Sequence, residues 1–201
     1  MKLGLYYRCI VADKNGKVVK RTHWKKSRSF VLQFLQHVEL LSFHAHNVNP
    51  TTIDMKDTDG VARTVFNINY PSTALYFAMN APDNNGSYGL VVGTGTAAPT
   101  NADYALATII GHGTGAGQLD YGAHSRTTTG IVGANVDYII SRTYYNGSGA
   151  SITVNEIGIY CYSTDSGNAI RLFCIVRDVI TAITIANTQT LTVQYTIRTT
   201  V

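Results

Sequence analysis

Leu172-Phe-Cys-Ile-Val-Arg-Asp178 and, further on, Leu191-Thr-Val-Gln-Tyr-Thr-Ile197 decide the fold class. Leu172, Cys174 and Val176 alternate with other residues, and Leu191, Val193, Tyr195 and Ile197 alternate with polar ones. A period of two places one side-chain set on one face of a strand, so three or four antiparallel strands with an inward face are expected here. Just upstream the parity breaks: Ile152 and Val154 share one phase, Ile157 and Ile159 the other. That strand either bulges near Glu156 or is buried on both faces.

Working outward, the chain beyond Pro50 reads as short β runs separated by turn signals, the pattern of a sandwich or barrel. Strands are expected over 52–56, 61–68, 74–79, 88–94, 130–145, 151–162, 169–176, 180–186 and 191–201. Asp59-Gly60, Asn85-Gly86, Asn146-Gly147 and Ser166-Gly167 supply the turns. Leu3 to Val11 is a further strand, followed by Asp13-Lys14-Asn15-Gly16 and a return arm over Lys17 to His23, which makes a hairpin. From Ser27 the period changes. Phe30, Val31, Phe34, Leu35, Val38 and Leu41 recur as one face of an amphipathic helix of about residues 28–43, with Ser27 or Ser29 able to cap it. The expected fold is therefore mainly β: a jelly-roll-like antiparallel sandwich in a single domain 1–201. It comprises a basic β-hairpin (1–26), an amphipathic helical segment (27–46) and the β-sandwich (50–201).

Composition agrees with that class. Of 201 residues only 14% are charged, against about 25% in ordinary domains, while Thr, Gly and Tyr number 25, 18 and 13. The net charge of +4 conceals an asymmetry: residues 1–28 hold nine basic groups and one acid, and the remaining 173 hold seven basic groups and eleven acids. A +8 arm precedes a −4 body. Lys17, Lys20, Arg21, Lys25, Lys26 and Arg28 fall within twelve residues and surround His23 and Trp24, a pattern suited to an acidic protein surface or to phosphate. No nucleic-acid motif accompanies the charge, so nucleic acid is the secondary expectation.

Motifs that would carry catalysis are weak. Gly93 to Gly117 is glycine-rich but lacks a phosphate-cradling pattern and has no lysine. His44-Ala45-His46 lacks identifiable further ligands, and Asp54, Asp57 and Asp59 read as a solvated turn rather than a calcium loop. His112, His124 and Ser125 form no recognised triad. Cys9, Cys161 and Cys174 lie in apolar runs and read as reduced and buried. Asn85-Gly86-Ser87 and Asn146-Gly147-Ser148 read as turns before they read as glycosylation sites. No catalytic residue, metal or cofactor is expected. The N-terminus does not read as a secretory leader, and no run reaches the roughly eighteen apolar residues of a membrane helix. Synthesis in a cytoplasm, without membrane association, is the expectation.

Two segments carry a resemblance. Tyr88-Gly-Leu-Val-Val-Gly-Thr-Gly-Thr-Ala-Ala-Pro-Thr-Asn-Ala-Asp-Tyr-Ala-Leu106 resembles a stretch found in structural proteins of tailed bacteriophages. Ile152-Thr-Val-Asn-Glu-Ile-Gly-Ile-Tyr160, with Leu172 to Asp178 and Leu191 to Ile197, resembles the C-terminal part of the same group and of some tail-fibre and collar-type proteins. The resemblance implies a β-sandwich virion subunit, non-enzymatic and present in many copies as a capsid, capsid-decorating, neck or tail component. Its expected partners are copies of itself and other virion proteins. A receptor- or carbohydrate-binding module of a phage fibre is the alternative. Expected contact residues are Lys17, Lys20, Arg21, Trp24, Lys25, Lys26 and Arg28, with Tyr144 and Tyr145 as aromatic anchors. Glu156, an acid inside an apolar strand, is expected to pair with Arg177.

Overall fold

A computed structural model describes residues 2–27, 29–42, 52–66 and 77–200. Among these residues three antiparallel sheets and one helix are formed, with the sheets stacked in a sandwich-like arrangement over a shared core. The first strand, β1 (Lys2–Ala12), pairs along its whole length with the last, β12 (Thr190–Thr200), so that Leu5 lies opposite Ile197 and Cys9 opposite Val193. Leu5, Tyr7, Cys9 and Val11 enter the core together with Leu191, Val193 and Tyr195, as the period of two requires.

On its other flank β1 carries two short pieces in series, β2 (Val18–Arg21) and β3 (Lys25–Ser27). Beyond β12 come β9 (Asn135–Tyr145) and then, again in series along one flank, β7 (Asp120–Arg126) and β8 (Gly130–Val132). The second sheet has the order β11 (Ile170–Ile185), β10 (Ile152–Thr164), β6 (Gly89–Gly93). A separate hairpin is formed by β4 (Thr52–Lys56) and β5 (Ala62–Phe66). The helix α1 (Leu32–Ser42) lies against β11 and β4. It is not long and apolar enough to cross a membrane.

Several expectations need correction. The two strands expected over 169–176 and 180–186 are one continuous strand, β11, because the intervening Arg177-Asp178-Val179 stays paired with β10. The run 130–145 is a tight hairpin, turned at Gly133 with φ +60°, rather than one strand. Strand β7 has no counterpart among the expected runs. Residues 67–76 lie outside the described residues, and with them the last two positions of the strand expected over 61–68, otherwise seen as β5, and the first half of that expected over 74–79, where Ala78 bridges Tyr162. At Glu156 both expected solutions occur together. The register shifts between Val154 and Glu156, and residues 156–161 are all buried.

The helix differs most. It starts at Leu32, since Phe30 is engaged as a β-bridge to Val176, and the face it turns inward is Gln33, His37 and Leu40. Leu35, Val38 and Leu41, expected to point into the core, face outward. His37 Nδ1 meets the Gln33 carbonyl at 2.7 Å, and Gln33 Nε2 donates to the Lys56 carbonyl at 3.3 Å, while Gln33 Oε1 is buried with no partner among the described residues. Partners in place offset much of the cost of burying a polar group, and the lone oxygen is the part left uncompensated.

Candidate functional site

The basic arm is built on the free flank of β1. Asp13 organises its turn by accepting the Asn15 and Lys17 N–H groups at 2.9 and 3.0 Å, and Gly16 takes the left-handed conformation at φ +79°. Lys17, Lys20, Arg21, Trp24, Lys25 and Lys26 are all exposed. Arg21 pairs with Ile10 and Lys26 with Tyr6, which puts both on the outer face of the sheet beside Arg8. The Arg8 guanidinium sits 4.4 Å from the Trp24 ring centroid and donates to Gln194 Oε1 through Nε at 2.9 Å. Lys25 Nζ donates to Thr181 Oγ1 at 3.2 Å. Among the described residues none of these cations has a carboxylate partner within 4.0 Å, and the outer edge of β2 and β3 is unpaired. Arg28 and the His44-Ala45-His46 pair lie outside the described residues.

The two tyrosines separate. Tyr145 is exposed on the outer face of β9, but Tyr144 is fully buried, its ring edge-on to Tyr121 at 4.8 Å. As an inward-facing core residue Tyr144 cannot serve as a surface anchor; successive residues of a strand point to opposite faces, and only one of the pair reaches solvent.

Glu156 and Arg177 meet in the interior. Arg177 Nε donates to Glu156 Oε2 at 3.0 Å, and Glu156 has no solvent exposure. The carboxylate also accepts three backbone N–H groups, from Gly95 at 3.0 Å, Thr108 at 2.8 Å and Ala107 at 3.1 Å. Arg177 reaches Asp103 Oδ2 at 2.6 Å through NH1 and the Ala97 carbonyl at 2.9 Å through NH2. Burial acts against the charged Asp103 carboxyl, yet hydrogen bonds from Thr100 and Arg177 hold it below the usual range. Burial likewise acts against the Arg177 cation, and its two carboxylates more than offset that, raising its pKa.

This cluster explains the two motif segments as halves of one object. A Cβ on Gly93 would approach Glu156 Oε1 to 2.6 Å, and one on Gly95 would clash with the same oxygen. Gly158 leaves room for Leu106, whose N–H donates to Tyr160 Oη at 2.6 Å. Asp178, beside Arg177, accepts from Tyr195 Oη at 2.8 Å and ties the second sheet to the first. With four donors on its two oxygens, Glu156 has no lone pair left for proton transfer. The group locks the 93–108 loop to β10.

Arg142 carried no sequence signal. It is buried, lies 4.8 Å from the Tyr121 ring centroid, and donates to the backbone carbonyls of Gly122, Tyr88, Leu90, Pro82 and Asn85. Main-chain acceptors are independent of side-chain identity, so nothing in the composition of 82–90 points to it. Asp57 also differs from a solvated turn residue: it is buried and accepts from Arg63 Nε at 2.6 Å.

Among the described residues the histidines do not converge. His37 Nε2 lies 3.7 Å from Cys161 Sγ; since the Gln33 carbonyl can only accept, Nδ1 bears the proton and the thiol donates to Nε2. Burial pushes His37 down to about 4 and the Cys161 thiol up, the reverse of a thiolate–imidazolium pair. His112 Nδ1 accepts the Tyr121 N–H, and His124 Nε2 the Leu90 N–H. All three cysteines are free and buried, and no group of three metal-ligating side chains occurs among the described residues. Asn146 is buried and donates to the Ala150 and Ile185 carbonyls, which fits its reading as a turn residue. No family model, curated protein or solved structure matches the chain.

Proposed function

We propose that this chain is a non-enzymatic structural subunit of a phage virion, a capsid, decorating, neck or tail component that assembles in many copies. The observation that carries the reading is the N-terminal arm: an exposed strand edge that, among the described residues, is unpaired and whose cations have no carboxylate partner, attached to a body of opposite net charge. Such an arm is complementary to the acidic body of another copy, and an open strand edge is a ready site for pairing with a further chain. The motif residues that carry the resemblance support the same reading, because here they serve to fix a loop to a sheet.

The test is sedimentation velocity together with electron microscopy, at about 0.1 M salt and at 1 M, where the screening length falls to about 3 Å. Rings, tubes or shells are expected at low salt, with loss of the larger species at high salt. Neutralising Lys25, Lys26 and Arg28 to glutamine should give the same loss at low salt. A chain that stays monomeric under all these conditions, or particles indifferent to both salt and substitution, overturns the reading.

A further inference from the structure

Asn-Gly occurs three times in the chain, at 15–16, 85–86 and 146–147. Glycine leaves its own nitrogen unhindered, so at this dipeptide the main chain can attack the asparagine side-chain amide. The fold treats the three sites differently. The Gly16 N–H, the nucleophile of the first, is engaged by the Asp13 carbonyl at 2.9 Å. At the third, Asn146 is fully buried and its Nδ2, the leaving group, is anchored on the Ala150 and Ile185 carbonyls, both at 2.8 Å.

Asn85 and Gly86 are half-buried, and among the described residues neither the Gly86 N–H nor Asn85 Nδ2 has a hydrogen-bond partner. The Ser87 N–H donates to Asn85 Oδ1 at 2.8 Å, which folds the side-chain carbonyl back along the Gly86 peptide and polarises its carbon. The main-chain carbonyl of Asn85 accepts from Arg142 Nη2, and this charge-assisted bond draws electron density from the Gly86 peptide and makes its N–H more acidic. A Cβ at position 86 would come within 3.0 Å of His112 Cβ, so packing also keeps the nucleophile free of a side chain.

Arg142 supplies a second, independent observation. It is 1% exposed, and its five N–H groups are all spent on neutral carbonyls. Among the described residues no carboxylate lies within 4.0 Å of it, and burial lowers its pKa. Apart from the Tyr121 ring beside it, this buried cation has no compensating charge, which is a costly arrangement.

We propose that Asn85 is a self-modification site: its amide is lost through a succinimide with Gly86, and the main product is isoaspartate, whose free carboxylate forms on the oxygen that Arg142 already holds. The Gly86 nitrogen, its proton taken by solvent hydroxide, bonds to Asn85 Cγ; the Cγ–Nδ2 bond breaks, and ammonia leaves with a proton from water. Water then opens the ring. Attack at Cγ restores the main chain and leaves aspartate. Attack at the main-chain carbonyl carbon, the one Arg142 polarises, leaves the chain running through Cγ and frees that carbon as a carboxylate. Nothing is oxidised or reduced, and hydroxide and water are the only co-reactants. The isoaspartyl carboxylate is the counter-charge that Arg142 lacks, so the fold favours this product. The extra chain atom falls in the loop that precedes β6.

The test is to incubate the chain at mildly alkaline pH, folded and in concentrated urea, and to read the three Asn-Gly peptides by mass spectrometry with electron-transfer fragmentation, which separates isoaspartate from aspartate. In urea the three sites should convert at similar rates. Folding should slow Asn15 and Asn146 by roughly tenfold or more, yet leave Asn85 at no less than its urea rate, with a larger isoaspartate share. Protection of Asn85 by folding, or an isoaspartate share no larger than in urea, overturns the proposal. Arg142→Lys, which keeps the charge and loses the fork, should slow Asn85 by roughly tenfold and return the product share to its urea value. Asn146 in the same digest reports whether the variant is folded, since an unfolded chain exposes it. A folded variant with rate and product share unchanged overturns the role given to Arg142, and the comparison of the folded chain with the chain in urea stands without the variant.

Discussion

At the scale of single residues the interior is held by a few saturated polar centres. Glu156 satisfies three backbone N–H groups and one guanidinium, and a glutamine there would present an amide nitrogen to donors that need an acceptor. Breaking a buried pair by altering one partner is costly because the other charge stays buried. Glu156→Gln should therefore destabilise the fold by about 3 kcal/mol or more, read as a lower urea midpoint, with faster hydrogen exchange at Gly95, Ala107 and Thr108. An unchanged midpoint would show that the cluster is incidental. Glu156 was legible in the sequence because an acid inside an apolar strand demands a partner. Its three N–H donors, like the carbonyls around Arg142, were not, since the main chain carries no residue code.

At the scale of elements, three hairpins share one turn. Asp13, Asp57 and Asp165 each accept, through Oδ1, the N–H groups two and four residues ahead. The residue three ahead, Gly16, Gly60 or Asn168, has positive φ in every case. Only Gly and, less readily, Asn adopt that conformation at low cost. In two of the three, the arginine six residues on bonds the second oxygen, Arg63 to Asp57 and Arg171 to Asp165, both at 2.6 Å. The turns should respond unequally to substitution. Asp13→Asn is expected to cost at most about 1 kcal/mol, whereas Asp57→Asn, which breaks a buried charge-assisted bond, should cost about 2 to 3 kcal/mol. Equal urea midpoints for the two variants would contradict this. The glycine turns were visible in the sequence; the arginine clamp was not, because its partner lies across the strand pair. Helix α1 shows the converse. Its leucines define an apolar stripe by spacing alone, and the fold nevertheless buries Gln33 and His37, whose hydrogen-bond partners on β4 and β10 no local pattern specifies.

For the molecule as a whole, strand positions follow from alternation, whereas the order of strands in the sheets does not: β1 pairs with β12 from the opposite end of the chain. One global property does follow from residues now placed. His37 and His124 are both held neutral by burial, at about 4 against an ordinary 6.5, with nearby Arg142 adding to the effect at His124. Between those values the unfolded chain binds protons that the folded chain refuses, so stability falls as pH drops from about 6.5 toward 4 and is level above that window. For His37 alone the loss between pH 6.5 and pH 5 amounts to about 2 kcal/mol, and His124 steepens the same slope. Asp57, Asp103, Asp137 and Asp165 are held below the usual carboxylate range. Burial acts against this at Asp57 and Asp103, and arginine hydrogen bonds lead at Asp137 and Asp165. Their contribution is lost as pH falls through those lowered values, below the histidine window. Urea midpoints measured from pH 7 to pH 4.5 should decline well before the carboxylates protonate. His37→Gln should be less stable at pH 7 yet flatter across the window, because the group that resists the proton is gone. Parallel curves for the two proteins would show that His37 takes up its proton without leaving its site under α1.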